Sequence, residues 1–109
     1  MKAMSDSYSV NDIAEARAKI DGINEQIIRL IAERQQWVAA VGKLKKDEGA
    51  VHAPDRVEQE IRKVRQLATD FGASPDVVEA TFRAMIAAFT DFELDVHRNA
   101  AGQSQQLQV

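Results

Sequence analysis

From Ile13 onward, one register of the chain advances by alternating steps of four and three. It gives Ile13, Arg17, Ile20, Asn24, Ile27, Ile31, Arg34, Val38, Val41 and Lys45. This is a heptad seam, the periodicity of a helix with one buried face. At about 100° per residue all ten positions fall within one sector. Six of them are aliphatic and three are cationic, so Arg17, Arg34 and Lys45 point where the aliphatic residues point.

Proline and glycine divide the chain beyond this seam. Pro54 and Pro75, the two prolines of the chain, stand where a helix starts, in its first turn. Gly49 and Gly72 lie a few residues earlier, at positions suited to ending the preceding helix. The pattern predicts a first helix from about Asn11 to Glu48, opened by a capping arrangement at Ser9 and Asp12. A second runs from Pro54 to Phe71 and a third from Pro75 to about Arg98. The second has an apolar face of Val57, Ile61, Val64, Ala68 and Phe71; the third one of Val78, Phe82, Met85, Ile86, Phe89 and Val96. No strand alternation and no internal repeat interrupts them. The expected fold is all-α: three helices, the first very long, in a helical domain over residues 11–98. Flexible ends are expected at 1–10 and 99–109.

The first helix, near 38 residues, would be about 57 Å long. A compact chain of 109 residues cannot cover such a rod, so it projects or packs against another chain. An antiparallel pairing of two first helices, centred near Ile27 and Ile28, would set Arg17 of one between Arg34 and Lys45 of the other. Within one helix Arg17 and Arg34 are roughly 25 Å apart, whereas Arg34 and Lys45 are separated by only about 16 Å. The pattern thus predicts a two-fold homodimer with composite sites. Asn24 would serve to fix register.

The net charge of −3 argues against nucleic acid, whose phosphates require a basic face. The chain has no cysteine, no apolar leader and no run long enough for a membrane span, and a cytoplasmic location is expected. His52 and His97 form no ligand spacing, so neither a metal nor a cofactor is expected, and no nucleophile–base pair is present. The chemistry rests on the cations. Buried cations need anions, and the seam supplies none. A small anionic ligand is one candidate. The other is Glu93, on the apolar face of the third helix, which could pair with Lys45 or an arginine, or contact ligand as a neutral acid. Arg56, in the first turn of the second helix beside free backbone N–H groups, is a further anion contact or a surface residue.

These features together resemble the all-helical, AroQ-type chorismate mutases, over about Ile13 to Arg98. The resemblance is carried by "ARAKIDGIN" around Arg17, by "LIAERQQWVAAVGKLK" with Arg34 and Lys45, and by "PDR" with Arg56. It implies an enzyme that converts chorismate to prephenate by an intramolecular [3,3] shift, without cofactor, in an intertwined homodimer with shared sites. It implies that Arg34 and the partner subunit's Arg17 hold the two carboxylates of the substrate, with Arg56 at the margin. Lys45 would donate to the breaking ether oxygen, and Glu93 stands where many members have a Gln that also donates there. Ala53 and Val57 stand where many mutases have carboxylates, Val57 in place of the Glu that binds the ring hydroxyl, and Phe89 replaces a common Ser. The stretch "AVHAPDRVE" is more similar to the isochorismate-pyruvate lyase branch of the same fold, which forms salicylate. That lyase is the alternative function; a non-catalytic helical dimerisation module is the third.

Overall fold

The structure is a computed structural model of one chain that describes residues 9–107, with side chains described through Gly102. It is all-α. Helix α1 spans Ile13–Leu44, α2 Glu48–Val51, α3 Pro54–Phe71 and α4 Pro75–Leu107. Three long helices are therefore joined by one short helical turn. The chain groups into two compact units that divide after Arg34.

In the first unit α1 starts where its capping residues direct. Asp12 accepts from the Glu15 amide at 2.7 Å, and the Glu15 carboxylate reaches back to the Asn11 amide at 3.4 Å. This is close to a capping box, with two otherwise orphaned N–H groups satisfied. Ile13, Ile20, Ile23, Ile27, Ile28 and Leu30 are all exposed in the single chain. Together these residues make a contiguous exposed apolar row along α1.

The second unit holds the core. Ile61, Val64 and Ala68 of α3, Val51 of α2 and Leu94 of α4 are buried, and α4 packs against both α2 and α3. Burying one such large aliphatic side chain contributes about 1.5–3 kcal/mol. The predicted stripe of α4 is half-buried at all six positions. Its flank carries a ladder of charges. Arg65 donates to Asp76 at 3.1 Å and Glu79 at 2.8 Å, while Arg83 holds Glu58 through two bonds of 2.8 and 2.9 Å and Glu79 at 2.7 Å. Exposed pairs like these contribute little to stability individually; they fix the lateral register of α3 on α4.

The ends of α1 and α4 fall elsewhere than the pattern places them, and the short α2 is additional. Helix α1 ends at Leu44, because Asp47 caps a new turn, accepting from the Ala50 amide at 2.8 Å. Gly49 consequently lies inside α2 and terminates nothing. Gly72 does end α3, with φ of 78°, the left-handed conformation that glycine adopts without a Cβ penalty. Phe71 beside it, the last residue of α3, is 78% exposed. Helix α4 continues past Arg98 to Leu107 through a stretch with two Ala and three Gln, good helix formers even where the stretch is polar. Residues 1–8 of the expected N-terminal stretch lie outside the described residues.

Candidate active site

The last turn of α1, the α2 segment and the middle of α4 meet around one charge pair. Glu93 is the one buried charged residue among the described residues, with 9% exposure. Lys45 donates from Nζ to Glu93 Oε2 at 2.6 Å. Its own backbone N–H still closes the last turn of α1 on the Val41 carbonyl at 3.1 Å, so the helix aims the lysine although the chain leaves the helix there. An ammonium has three donors. With one on Glu93, two remain to be offered.

The approach of α1 to α4 depends on Gly42, which is buried. A Cβ there would lie 2.9 Å from Glu93 Cγ and 3.2 Å from the Glu93 backbone oxygen. Only glycine lets the two backbones come close enough for Lys45 to meet Glu93 in this geometry. His97, one turn beyond Glu93, makes a 3.2 Å hydrogen bond from Nδ1 to the Gly42 carbonyl and fastens the same turn. A part-buried ion pair adds little net stability, because desolvation offsets most of the attraction. Its effect is to fix where a cation stands.

The α2 segment is tied down separately. Val51 is buried against α4, and Arg98 of α4 holds both carboxylate oxygens of Glu48. That hydrogen-bonded guanidinium keeps the Glu48 carboxyl below its ordinary value. Ala53 caps α3 without a side-chain hydrogen bond, and Pro54 follows at the first helical position. Arg56 is exposed in that first turn. Val57 is half-buried and lines an open groove of about 340 Å³ with Arg83, Ile86, Ala87, Thr90 and Asp91. Phe89 lies one turn before Glu93 on α4, edge-on to Phe92 with centroids 5.9 Å apart.

Of the residues singled out by sequence, Lys45 and Glu93 are in direct contact, and Phe89 is their neighbour along α4. Ala53, Arg56 and Val57 follow on the start of α3. Arg17 and Arg34 belong to the first unit, Arg17 exposed and Arg34 half-buried. Glu48, Arg98 and His97 join the site through hydrogen bonds that the sequence pattern does not indicate. Asp47 carried a readable signal as a helix cap; the pairing of Glu48 with Arg98, fifty residues apart, carried none. Among the described residues no cluster of His and carboxylates forms a metal-binding group, and no helix is long and apolar enough to cross a membrane.

Residues 16–94 match the family described as chorismate mutase type II. The chain is 28% identical over 102 residues to an isochorismate pyruvate lyase of Pseudomonas aeruginosa, covering 94% of this chain and 98% of that enzyme. It is 32% identical over 72 residues to a T-protein of Haemophilus influenzae, and 28% identical over 78 residues to one of Enterobacter agglomerans. These matches take in 19% and 21% of those longer proteins. With the family matched across most of its length, and with the fold all-helical, the chain belongs to the chorismate mutase type II family.

Proposed function

We propose that the chain is an isochorismate-pyruvate lyase that works as a homodimer. One observation carries the reading: the likeness to the lyase runs through nearly the whole of both chains, including the Ala53–Val57 stretch that lacks the carboxylates of many mutases. With Ala53 and Val57 at those positions, neither residue can offer a carboxylate to the ring hydroxyl of chorismate.

The reaction balances without any external reagent. A ring hydrogen passes to the CH₂ end of the enolpyruvyl group. The electrons of that C–H bond complete the aromatic ring, and the ether C–O pair becomes the carbonyl of pyruvate. Salicylate remains. Negative charge grows on the ether oxygen as its bond breaks, and the free N–H groups of Lys45 are the donors for it. Glu93 accepts from Lys45 at 2.6 Å and holds it in place. Arg34 and the partner subunit's Arg17 would take the two substrate carboxylates, with Arg56 at the margin and Val57 and Phe89 as walls. The exposed isoleucine face of α1 supports the dimer that this division requires.

The mutase reading has support in the family itself, since chorismate presents the same ether bond to the same lysine. Product analysis separates them. Incubation with isochorismate should give equimolar pyruvate and salicylate, and chorismate should give prephenate slowly or not at all. Efficient prephenate formation without pyruvate release would make the chain a mutase. Turnover of neither substrate would leave a helical dimerisation module.

A further inference from the structure

The segment between α1 and α3 begins with Lys45 and ends at Ala53, yet only a four-residue helix lies within it. So short a turn does not hold itself in place, because helix nucleation is unfavourable. Three ties fasten this part of the chain to α4, at steps of three residues: Gly42 to His97, Lys45 to Glu93, and Glu48 to Arg98. The first two lie at the charge pair itself. The third lies beyond it, on the far side of Lys45 from α1.

We propose that Arg98 is a positioning residue: by clamping Glu48 it holds the Lys45–Ala53 segment against α4 and thereby sets where the Lys45 ammonium stands when substrate binds. Without the clamp, Lys45 has a helix on one side only, since α1 ends at Leu44. Beyond the Lys45–Glu93 contact itself, the segment is then anchored by the buried side chain of Val51. The clamp has the geometry for such a task. Arg98 Nε donates to Glu48 Oε1 and Nη2 to Oε2, and a two-point contact fixes orientation where one bond would allow swivel. It also sits at the N-terminal residue of α2, whose other end packs inward through Val51, so α2 is held at both ends.

The location of the pair separates positioning from general stability. Both side chains are about half exposed, Arg98 at 56% and Glu48 at 48%. An ion pair that open to water and salt contributes little to global stability. A clamp of this kind is kept for where it places the chain. Its carboxyl lies below the ordinary range because of the Arg98 hydrogen bond, so the pair remains charged throughout neutral and mildly acidic conditions.

The inference rests on Lys45 being the working cation of the proposed reaction, and the test has one arm that does not. Glu48→Gln, Arg98→Gln and the exchanged pair Glu48→Arg with Arg98→Glu are compared with the parent. The first arm is amide hydrogen exchange at Ala50, Val51 and His52, read with no substrate present. Each single variant should exchange about tenfold faster at these amides, with the α3 and α4 core unchanged, and the exchanged pair should return towards parent rates. The second arm is turnover of isochorismate. The single variants should lose about tenfold in kcat with KM within threefold, while melting temperatures stay close to the parent's, and the exchanged pair should recover activity. Unaltered exchange in the single variants would overturn the clamp whether or not the parent is a lyase. Faster exchange with undiminished kcat would overturn its bearing on Lys45. A parent inactive on both substrates would defeat the proposed function, and the first arm would still decide whether Arg98 holds the segment.

Discussion

Two glycines of α1 offer the same substitution with opposite consequences. At Gly42 a Cβ would stand 2.9 Å from Glu93 Cγ and 3.2 Å from the Glu93 carbonyl oxygen. Carbon atoms in comfortable contact are about 3.5–4.0 Å apart, so α1 and α4 must part by about 0.6 Å or more. Neither obstacle is the free end of a side chain that could swing aside. Overpacking of this kind costs about 1–3 kcal/mol, offset by at most about 1 kcal/mol from replacing a helical glycine. Gly42→Ala should therefore lose up to about 2 kcal/mol. At Gly22, with nothing within 4 Å, only the propensity remains, and Gly22→Ala should gain about 0.8–1 kcal/mol. Urea denaturation at one fixed protein concentration measures both. Function should diverge further than stability. Moving the Glu93 backbone displaces the 2.6 Å contact that locates Lys45, and misplacement by about 1 Å costs about 10²-fold in rate, so a tenfold loss of kcat is expected at Gly42. Gly42→Ala with parental stability and rate would refute the claim that close helix approach places the pair.

Glu93→Gln keeps the shape and an acceptor for Lys45 but removes the charge. It should cost about 1–2 kcal/mol and lower kcat/KM at every pH; activity that instead rises on the alkaline side would make Glu93 a proton-bearing donor. Arg83→Gln removes the hydrogen bonds that hold Glu58 and Glu79 below the ordinary carboxyl value of 4.5. Carboxyls with depressed values stabilise the fold above 4.5 and lose that contribution as pH falls through their folded values. The stability gap between parent and variant should therefore be open at neutral pH and close well below 4.5; a gap indifferent to pH contradicts the ladder's role. Inactive Arg17→Ala and Lys45→Ala proteins, mixed and allowed to exchange subunits, should regain part of the parent's activity, because some mixed dimers hold one intact site. No recovery despite demonstrated exchange argues against shared sites.

How much of this was readable in the sequence depends on how local each cause is. The starts of α3 and α4 at Pro54 and Pro75, and the stop at Gly72, follow from single-residue backbone preferences. Ile61, Val64 and Ala68 follow from periodicity, and Phe71 escapes it because the helix ends under it. The Lys45–Glu93 contact was legible as two opposite charges on two apolar faces, with a salt bridge as one of its readings. The end of α1 at Leu44 was missed because the heptad pattern continues through Lys45 while the Asp47 cap competes with it. The Glu48–Arg98 pair depends wholly on how the segment folds back on α4, which no local pattern encodes. The extension to Leu107 was hidden by polarity, which marks solvent exposure and says little against a helix.

In the proposed reaction Lys45, held by Glu93, stabilises the charge that develops on the breaking ether oxygen. Steady-state kinetics of Lys45→Ala on isochorismate, beside the parent, tests it most directly. Removing one well-placed donor to a developing oxyanion typically costs about 10²–10³ in rate. A fall of that size is expected in kcat with a much smaller change in KM, since the carboxylates of the substrate would still be held by arginines. A Lys45→Ala protein that releases pyruvate nearly as fast as the parent would contradict it.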